Sequence, residues 1–217
     1  MIRKTFWVAL MVCLCSGAAS RAQMGMNLFR KPNITDIFKP VVGKGAAYET
    51  DKSGTKSSLE MTIVGKESVE GKDAYWMEIA HEQGYAKMLM TKDDFESHRM
   101  IVQSPGKPAM EMTIGMNSGR AAQRRQEELD KWHQVGSESI TVPAGTFSCQ
   151  HWQKGDGKGD IWLSEKVSPF GIIKMVDSSQ TMTLVKVITD AKDHITGPVQ
   201  KFDPQALRQM MDQRQNQ

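Results

Sequence analysis

The sequence predicts a mainly β fold: a strongly curved antiparallel sheet or incomplete β-barrel, with one inserted helix and a C-terminal helix. Three observations support this prediction. Short segments in which apolar and polar residues alternate follow one another at hairpin spacing, turn-forming residues separate them, and few stretches have helical spacing. Strands and helices do not alternate along the chain, which argues against an α/β nucleotide-binding fold.

Two sets of strands are expected, the first between Gly45 and Met116 and the second between Ser137 and Asp190. In the first set, every second residue of two segments is apolar: Leu59, Met61 and Ile63, then Tyr75, Met77 and Ile79. The second set is predicted to comprise strands 139–142, 147–153, 160–164, 171–176 and 181–188. Alternation of this kind is typical of strands that bury one face.

A helix is predicted between the two sets, over residues 118–132, because Ala122, Leu129 and Trp132 give it a thin apolar stripe. A second helix is expected at the C-terminus, where Asp203 can cap it and Pro204 suits its first position. A third, short helix is expected in the N-terminal segment. The resulting organisation is a signal peptide (1–22), an N-terminal segment (23–44), one β-rich domain (45–190) and a C-terminal tail (191–217).

The first residues have the features of a cleavable secretory signal. Arg3 and Lys4 precede an apolar run over 6–15, which is too short to cross a bilayer, and small residues follow up to a cleavage site near Ala22. We therefore expect a periplasmic or secreted protein whose mature chain starts at Gln23 and has no transmembrane segment. No lipid anchor is expected, since neither Cys13 nor Cys15 follows a small residue.

The charge of the mature chain argues against nucleic acid as a partner. Removing Arg3, Lys4 and Arg21 from the 28 basic residues leaves 25, which equals the 25 acidic residues. A neutral chain without a large basic cluster has no electrostatic footprint for a phosphate backbone. Cys149 is then the single remaining thiol, so no internal disulfide is expected, and a small buried side chain is favoured over a reactive thiol.

No familiar catalytic motif, metal motif or cofactor-binding motif is present, so we expect a protein that is not an enzyme. The glycine-rich stretch 155–160 lacks the spacing of a phosphate loop or an EF-hand and is predicted to connect two strands. The stretch 53–56 matches Ser-x-x-Lys but is predicted to be a turn. The histidines are separated along the chain without ligand spacing, although folding could still gather some of them: His81, His98, His133, His151 and His194.

Methionine is the compositional anomaly. Of 16 methionines, Met1 and Met11 leave with the signal peptide. Met-x-Met occurs three times in the remaining chain, at Met24/Met26, Met88/Met90 and Met110/Met112. In a strand this spacing puts both thioethers on one face. Two interpretations of the methionine content stay open: an adaptable apolar interior, which is favoured, and a soft Cu(I) site.

Three consecutive segments carry a resemblance to a known shape: 142–149 (VPAGTFSC), 160–164 (DIWLS) and 167–175 (VSPFGIIKM). Together they resemble a class of uncharacterised exported bacterial proteins that are similar to the lipoprotein-localisation-factor type of half-open β-barrel. The resemblance covers roughly the last third of the β-rich domain. It implies that acyl chains or other amphiphiles are held inside the concave sheet, and it transfers no functional residue.

These observations lead to the hypothesis of a non-enzymatic periplasmic binding or carrier protein for a lipid, a lipoprotein acyl chain or another amphiphile. Burial of each methylene contributes about 0.8 kcal/mol, so affinity needs no catalytic group. The predicted lining consists of Met61, Ile63, Met77, Ile79, Met88, Met90, Met112, Ile173 and Met175. The alternatives are an envelope structural or protein-interaction module with a filled core, and copper handling through methionine. The sequence identifies no protein partner.

Overall fold

The computed structural model describes residues 38–92, 96–112, 127 and 130–201, and nearly all of their regular structure is β. The strands are β1 (Gly45–Lys52), β2 (Thr55–Val69), β3 (Lys72–His81), β4 (Gly84–Thr91), β5 (Ser97–Gln103), β6 (Ala109–Met112), β7 (Trp132–Val142), β8 (Gly145–Lys154), β9 (Gly159–Leu163), β10 (Ile172–Asp177), β11 (Thr181–Ile188) and β12 (Val199–Lys201). The signal peptide and most of the N-terminal segment lie outside the described residues.

The twelve strands form one sheet in the order β12-β6-β5-β4-β3-β2-β1-β11-β10-β9-β8-β7. Each strand pairs with its neighbour in an antiparallel manner, except that β12 runs parallel to β6. In this order two meanders, β1–β6 and β7–β11, are joined by the β1–β11 pair. The prediction of a large antiparallel sheet is confirmed, and within the described residues the sheet is open, with β12 and β7 at its edges.

The predicted helices are not seen in the described residues. Most of 118–132 lies outside them, but the end of that prediction is wrong: Asp130 and Lys131 form a turn, and Trp132 begins β7. The reason is tertiary, since Trp132 pairs with Lys154 across the β7–β8 ladder, which outweighs a weak helical stripe. Residues 38–44 contain a turn and no helix. The C-terminal helix predicted from 204 onwards lies outside the described residues.

Two tight turns fix the start of the sheet. Ser53 and Gly54 connect β1 to β2 with φ of 52° and 85°, and Glu70 and Gly71 connect β2 to β3 with φ of 51° and 78°. Positive φ at both central residues is the mark of a type I′ hairpin turn, whose twist matches that of the flanking strands. Of the stretch 53–56 that was predicted to be a turn, Ser53 and Gly54 form the turn and Thr55 and Lys56 begin β2; of 155–160, residues 155–158 connect β8 to β9 and the last two belong to β9.

The two faces of the sheet bury separate apolar clusters. On the inner face, side chains from β1–β4 and from β7–β11 form one continuous cluster, to which Phe38 and Phe170 also belong. Because strands from both meanders meet in it, the sheet must curl around this cluster. On the outer face of β3–β6, a smaller cluster includes Trp76, Leu89 and Ile195. The alternation of Trp76 and Met77 between these clusters confirms the predicted strand periodicity.

Ile195 belongs to a segment that follows β11, residues 189–198, which we call the strap. The strap lies on the outer face of β3 and β4, where Lys87 Nζ forms an ion pair with Asp193 and donates a hydrogen bond to the Ile195 carbonyl (3.2 Å). It then leads into β12. The tail was expected to contain only a short helix, so both the strap and β12 are additions that the structure makes.

Candidate functional site

The predicted lining residues lie on the inner face. Seven of them belong to its buried cluster, and Ile79 packs against that cluster. The seven are Met61, Ile63, Met77, Met88, Met90, Ile173 and Met175. Met112 is half-buried in β6. The structure therefore brings the predicted residues to one face, whereas their role in ligand binding stays a prediction.

Four methionines stand in one row across four neighbouring strands. Met77 of β3 is directly opposite Met88 of β4, Met88 is opposite Met100 of β5, and Met100 is opposite Met112 of β6. Directly opposite residues have their Cβ atoms about 4.5–5.5 Å apart, so adjacent thioethers are neighbours. We call these four residues the methionine row. Sequence reasoning found the pairs along each strand but missed Met100, because strand register cannot be read from a single strand.

The inner cluster is closed on one side by the segment before β1 and the loop between β9 and β10. Phe38 and Phe170 stack with ring centroids 5.1 Å apart, and the Lys39 amide donates to the Pro169 carbonyl (3.0 Å). Beside them, the Tyr48 hydroxyl donates to the carbonyl of Ile172 (3.2 Å). Burial raises the pKa of Tyr48 well above its usual value, so the phenol stays neutral and acts here as a donor.

Trp152 carries a polar atom inside this apolar cluster. Trp152 is 6 % exposed, and its indole Nε1 is buried with no hydrogen-bond partner within residues 38–92, 96–112, 127 and 130–201. Leaving a buried donor unsatisfied costs about 1–3 kcal/mol, and native proteins satisfy nearly all such groups. The predicted lining does not include Trp152, since a tryptophan in a strand gives no signal in sequence that its N–H lacks an acceptor. Trp152 therefore has an unused capacity to bind a polar atom on the inner face.

Cys149 lies in the same cluster as Trp152. Its thiol is buried and free, as predicted for the single cysteine of the mature chain. Burial, with a smaller contribution from the negative charge of Glu138, raises the pKa of the Cys149 thiol to about 11. The protonated thiol donates to the Phe147 carbonyl (3.4 Å). A thiol in this state is a poor nucleophile and behaves as a small apolar side chain.

A second group of polar side chains lies on β7, β8 and β9. His151 Nε2 is 2.8 Å from Asp160 Oδ1, and its Nδ1 is 3.2 Å from Glu138 Oε1. Trp162 stacks on the imidazole with centroids 4.5 Å apart and donates from Nε1 to Glu138 (2.6 Å). Both nitrogens of the ring and the indole N–H are therefore engaged within the protein. This network connects three neighbouring strands.

The histidines do not come together into a metal site of ordinary ligands. Over residues 38–92, 96–112, 127 and 130–201, no three His, Cys, Asp or Glu side chains are grouped closely enough to hold a metal ion. His98 differs from the other histidines, because its Nε2 is buried and finds no hydrogen-bond partner in these same residues. In the same described ranges, no helix has the length and apolar character needed to cross a membrane.

Comparison with known proteins identifies no family for this chain. No protein-family model matches it, and no curated protein matches it. Among solved structures, it is similar to a candidate lipoprotein from Parabacteroides distasonis, at 13% identity and a TM-score of 0.36, over 70% of this chain and 98% of that one. A candidate exported protein with a YmcC-like fold from Bacteroides fragilis has 11% identity and a TM-score of 0.36 over the same shares.

A third similar structure is MucB of Pseudomonas aeruginosa in its complex with MucA. The identity is 10%, the TM-score is 0.36, and the match covers 80% of this chain and 58% of that one. TM-scores and sequence identities this low carry no argument about function. The function must therefore be argued from the residues of this chain.

Proposed function

We propose that this protein is a non-enzymatic, exported binding or carrier protein that takes the acyl chain of a lipid, or another amphiphile, into the inner face of its curved sheet. The single observation that carries the proposal is the buried N–H of Trp152, which lies among apolar side chains and has no hydrogen-bond partner in the described part of the chain. This environment offers an apolar surface and lacks an acceptor for the indole N–H, and an amphiphile suits both. Its alkyl chain matches the apolar wall, and a carbonyl oxygen next to that chain can accept the indole hydrogen.

The composition of the inner face supports entry of a guest. Methionine side chains are unbranched and flexible, so they rearrange around an irregular ligand more easily than Leu or Ile. Eight methionines belong to the inner cluster or to the row that crosses it, including Met61, Met88 and Met100. The inner face is also less covered toward β6, where Met110 is 37 % exposed. A ligand would enter there by displacing methionine side chains rather than by filling an empty chamber.

A second candidate function is a structural or protein-interaction module with a filled core. It is favoured by the burial of the inner cluster, because the described side chains of β1–β4 and β7–β11 already cover one another. In that case the exposed surface, and not the interior, would bind a partner. The two functions make opposite predictions about bound lipid.

The first experiment is native mass spectrometry and lipid extraction of the full chain purified from its own cell envelope. The carrier function predicts reproducible bound lipid, and a clean apo mass would favour the filled-core module.

The second experiment uses two lysophospholipids that differ at one group, an ester-linked acyl chain with a carbonyl and an ether-linked chain without it. We expect the protein to prefer the ester, because only its carbonyl can accept from Trp152.

The variant Trp152→Phe removes the N–H and keeps an aromatic ring, so the preference for the ester should disappear. A preference worth one hydrogen bond, about 1 kcal/mol, corresponds to roughly fivefold in affinity. Trp162→Phe is the matched control, since that indole already donates to Glu138. Equal binding of both lipids by the unaltered protein would show that Trp152 does not donate a hydrogen bond to the ester carbonyl.

A further inference from the structure

The thioether sulfur atoms of the methionine row can coordinate a soft metal ion, a property that binding of an amphiphile does not use. Met88, Met100 and Met112 are consecutive members of the row on β4, β5 and β6, and no break in register separates them. Strands β4 and β6 are two strand spacings apart, about 9–10 Å, with Met100 midway between them. Three thioethers can therefore point toward one place near Met100. Met77, one strand further away, lies beyond its reach.

His98 stands close to this group in the sequence of β5 and has a nitrogen that could bind a metal. His98 precedes Met100 by two residues in β5, at the bulge where the β4–β5 register shifts between Leu89 and Met90. Its Nε2 is buried and has no hydrogen-bond partner among the residues that the structure describes. Bulges redirect side chains and are frequent beside functional sites. An unsatisfied imidazole nitrogen next to a row of thioethers is a combination that apolar packing alone does not require.

We propose that Met88, Met100, Met112 and His98 form a binding site for Cu(I). Thioether sulfur is a soft ligand that selects Cu(I), and neutral imidazole also suits copper. Carboxylates, which favour harder cations, are absent from this ligand set. Coordination would satisfy the His98 nitrogen, whose burial otherwise costs about 1–3 kcal/mol. Met112 and Met100 are half-buried, while Met88 is buried, so the site connects the surface of β6 with the inner face.

The test is a Cu(I) titration of the mature chain under anaerobic, reducing conditions, in competition with bicinchoninate, a coloured Cu(I) chelator. We expect one equivalent of Cu(I) to be withdrawn from the chelator. The row variant Met88→Leu/Met100→Leu/Met112→Leu should lose this competition. His98→Gln should weaken binding on the order of tenfold, equal to about 1.4 kcal/mol. Methionine-to-leucine changes nearly conserve side-chain volume, and circular dichroism checks that the variant folds.

The matched control is Met61→Leu/Met175→Leu/Met182→Leu, which removes three inner-face methionines that lie outside the row. It should bind Cu(I) like the unaltered chain, as should Trp152→Phe. His98→Gln in turn should keep the ester preference for lysophospholipid, since His98 is not part of the predicted lining, so failure of one proposal is distinguishable from failure of the other. Unchanged Cu(I) binding by the row variant or by His98→Gln, equal loss in the control, or no competition by the unaltered protein would overturn the site.

Discussion

Glu78 and His194 are bound to each other on the outer face of the sheet, 116 residues apart in sequence. His194 Nδ1 is 2.6 Å from Glu78 Oε1, and the His194 amide donates to Glu78 Oε2 (3.1 Å). Glu78 is 1 % exposed, and the Tyr85 ring stacks on the imidazole with centroids 4.7 Å apart. This contact, together with the ion pair of Lys87 and Asp193, attaches the strap to β3 and β4.

The first prediction concerns the pH dependence of stability through Glu78. Burial raises the pKa of the Glu78 carboxyl above its usual 4.5, and the hydrogen bonds from His194 offset only part of this. A raised folded-state pKa means that the folded chain holds the proton more tightly than the unfolded chain. The contribution of Glu78 to the free energy of unfolding should therefore be fully present below pH 4.5 and decline as pH rises through the folded-state pKa.

This is measured by urea unfolding of the unaltered protein and of Glu78→Gln across pH 3.5 to 8. The stability of the unaltered protein relative to Glu78→Gln should fall as pH rises. Glu82→Gln, which makes the same change at an exposed position, is the control and should lack this trend. A relative stability that increases with pH would contradict the prediction.

The second prediction concerns Ile195, the apolar anchor of the strap. It is 3 % exposed in the outer cluster with Trp76 and Leu89. Ile195→Ala should lower the free energy of unfolding by about 2–5 kcal/mol, since it removes buried methyl groups and leaves a cavity. Val199→Ala in β12, at an exposed position, should stay within about 0.5 kcal/mol. Equal effects of the two changes, measured by urea unfolding, would show that the strap is not anchored through Ile195.

The third prediction concerns the reactivity of Cys149. With its pKa raised to about 11 by burial, the thiol of the folded mature chain is protonated at pH 8. Iodoacetamide should therefore leave it unmodified under native conditions and label it after unfolding, as followed by intact mass. The double variant Ser148→Cys/Cys149→Ser moves the thiol to the neighbouring exposed position and should be labelled without denaturant. Rapid native labelling of Cys149 would contradict its burial.

The fourth prediction separates backbone strain from steric collision at two glycines. Gly84 (φ 130°) and Gly106 (φ 69°) both have positive φ, but a Cβ on Gly84 would collide with the Gln103 carbonyl oxygen, whereas one on Gly106 meets nothing. Gly106→Ala should cost about 1–2 kcal/mol for the left-handed conformation alone. Gly84→Ala should cost more, because the β4–β5 pair must also shift. Equal destabilisation in thermal unfolding would show that the loop relaxes freely.

Much of the β architecture was predictable because strand periodicity is a local property. Alternation of Tyr75, Met77 and Ile79 with Ala74, Trp76 and Glu78 gave both the strand and its two faces, and the structure places those faces in separate clusters. Helical spacing near 118–132 was a weaker local signal, and at Trp132 the pairing of β7 with β8 outweighs it.

The candidate sites depended on contacts that local patterns do not contain. Nothing near Trp152 in sequence indicates that its indole N–H lacks an acceptor, since the possible acceptors lie on other strands. The same holds for the methionine row, which exists only because β4, β5 and β6 pair in one particular register. A shift of one residue would turn every side chain of a strand to the other face.

The sequence by itself determined that this chain forms antiparallel strands and which residues of a strand share a face, because alternation and turn chemistry act over a few residues. Only the tertiary structure decided which strands are neighbours, that the strap crosses the outer face through Glu78 and Lys87, and that Met88, Met100 and Met112 stand side by side. These features depend on contacts between residues that are far apart in sequence. They are fixed by the burial of both faces of the sheet at once, which no short segment can specify alone.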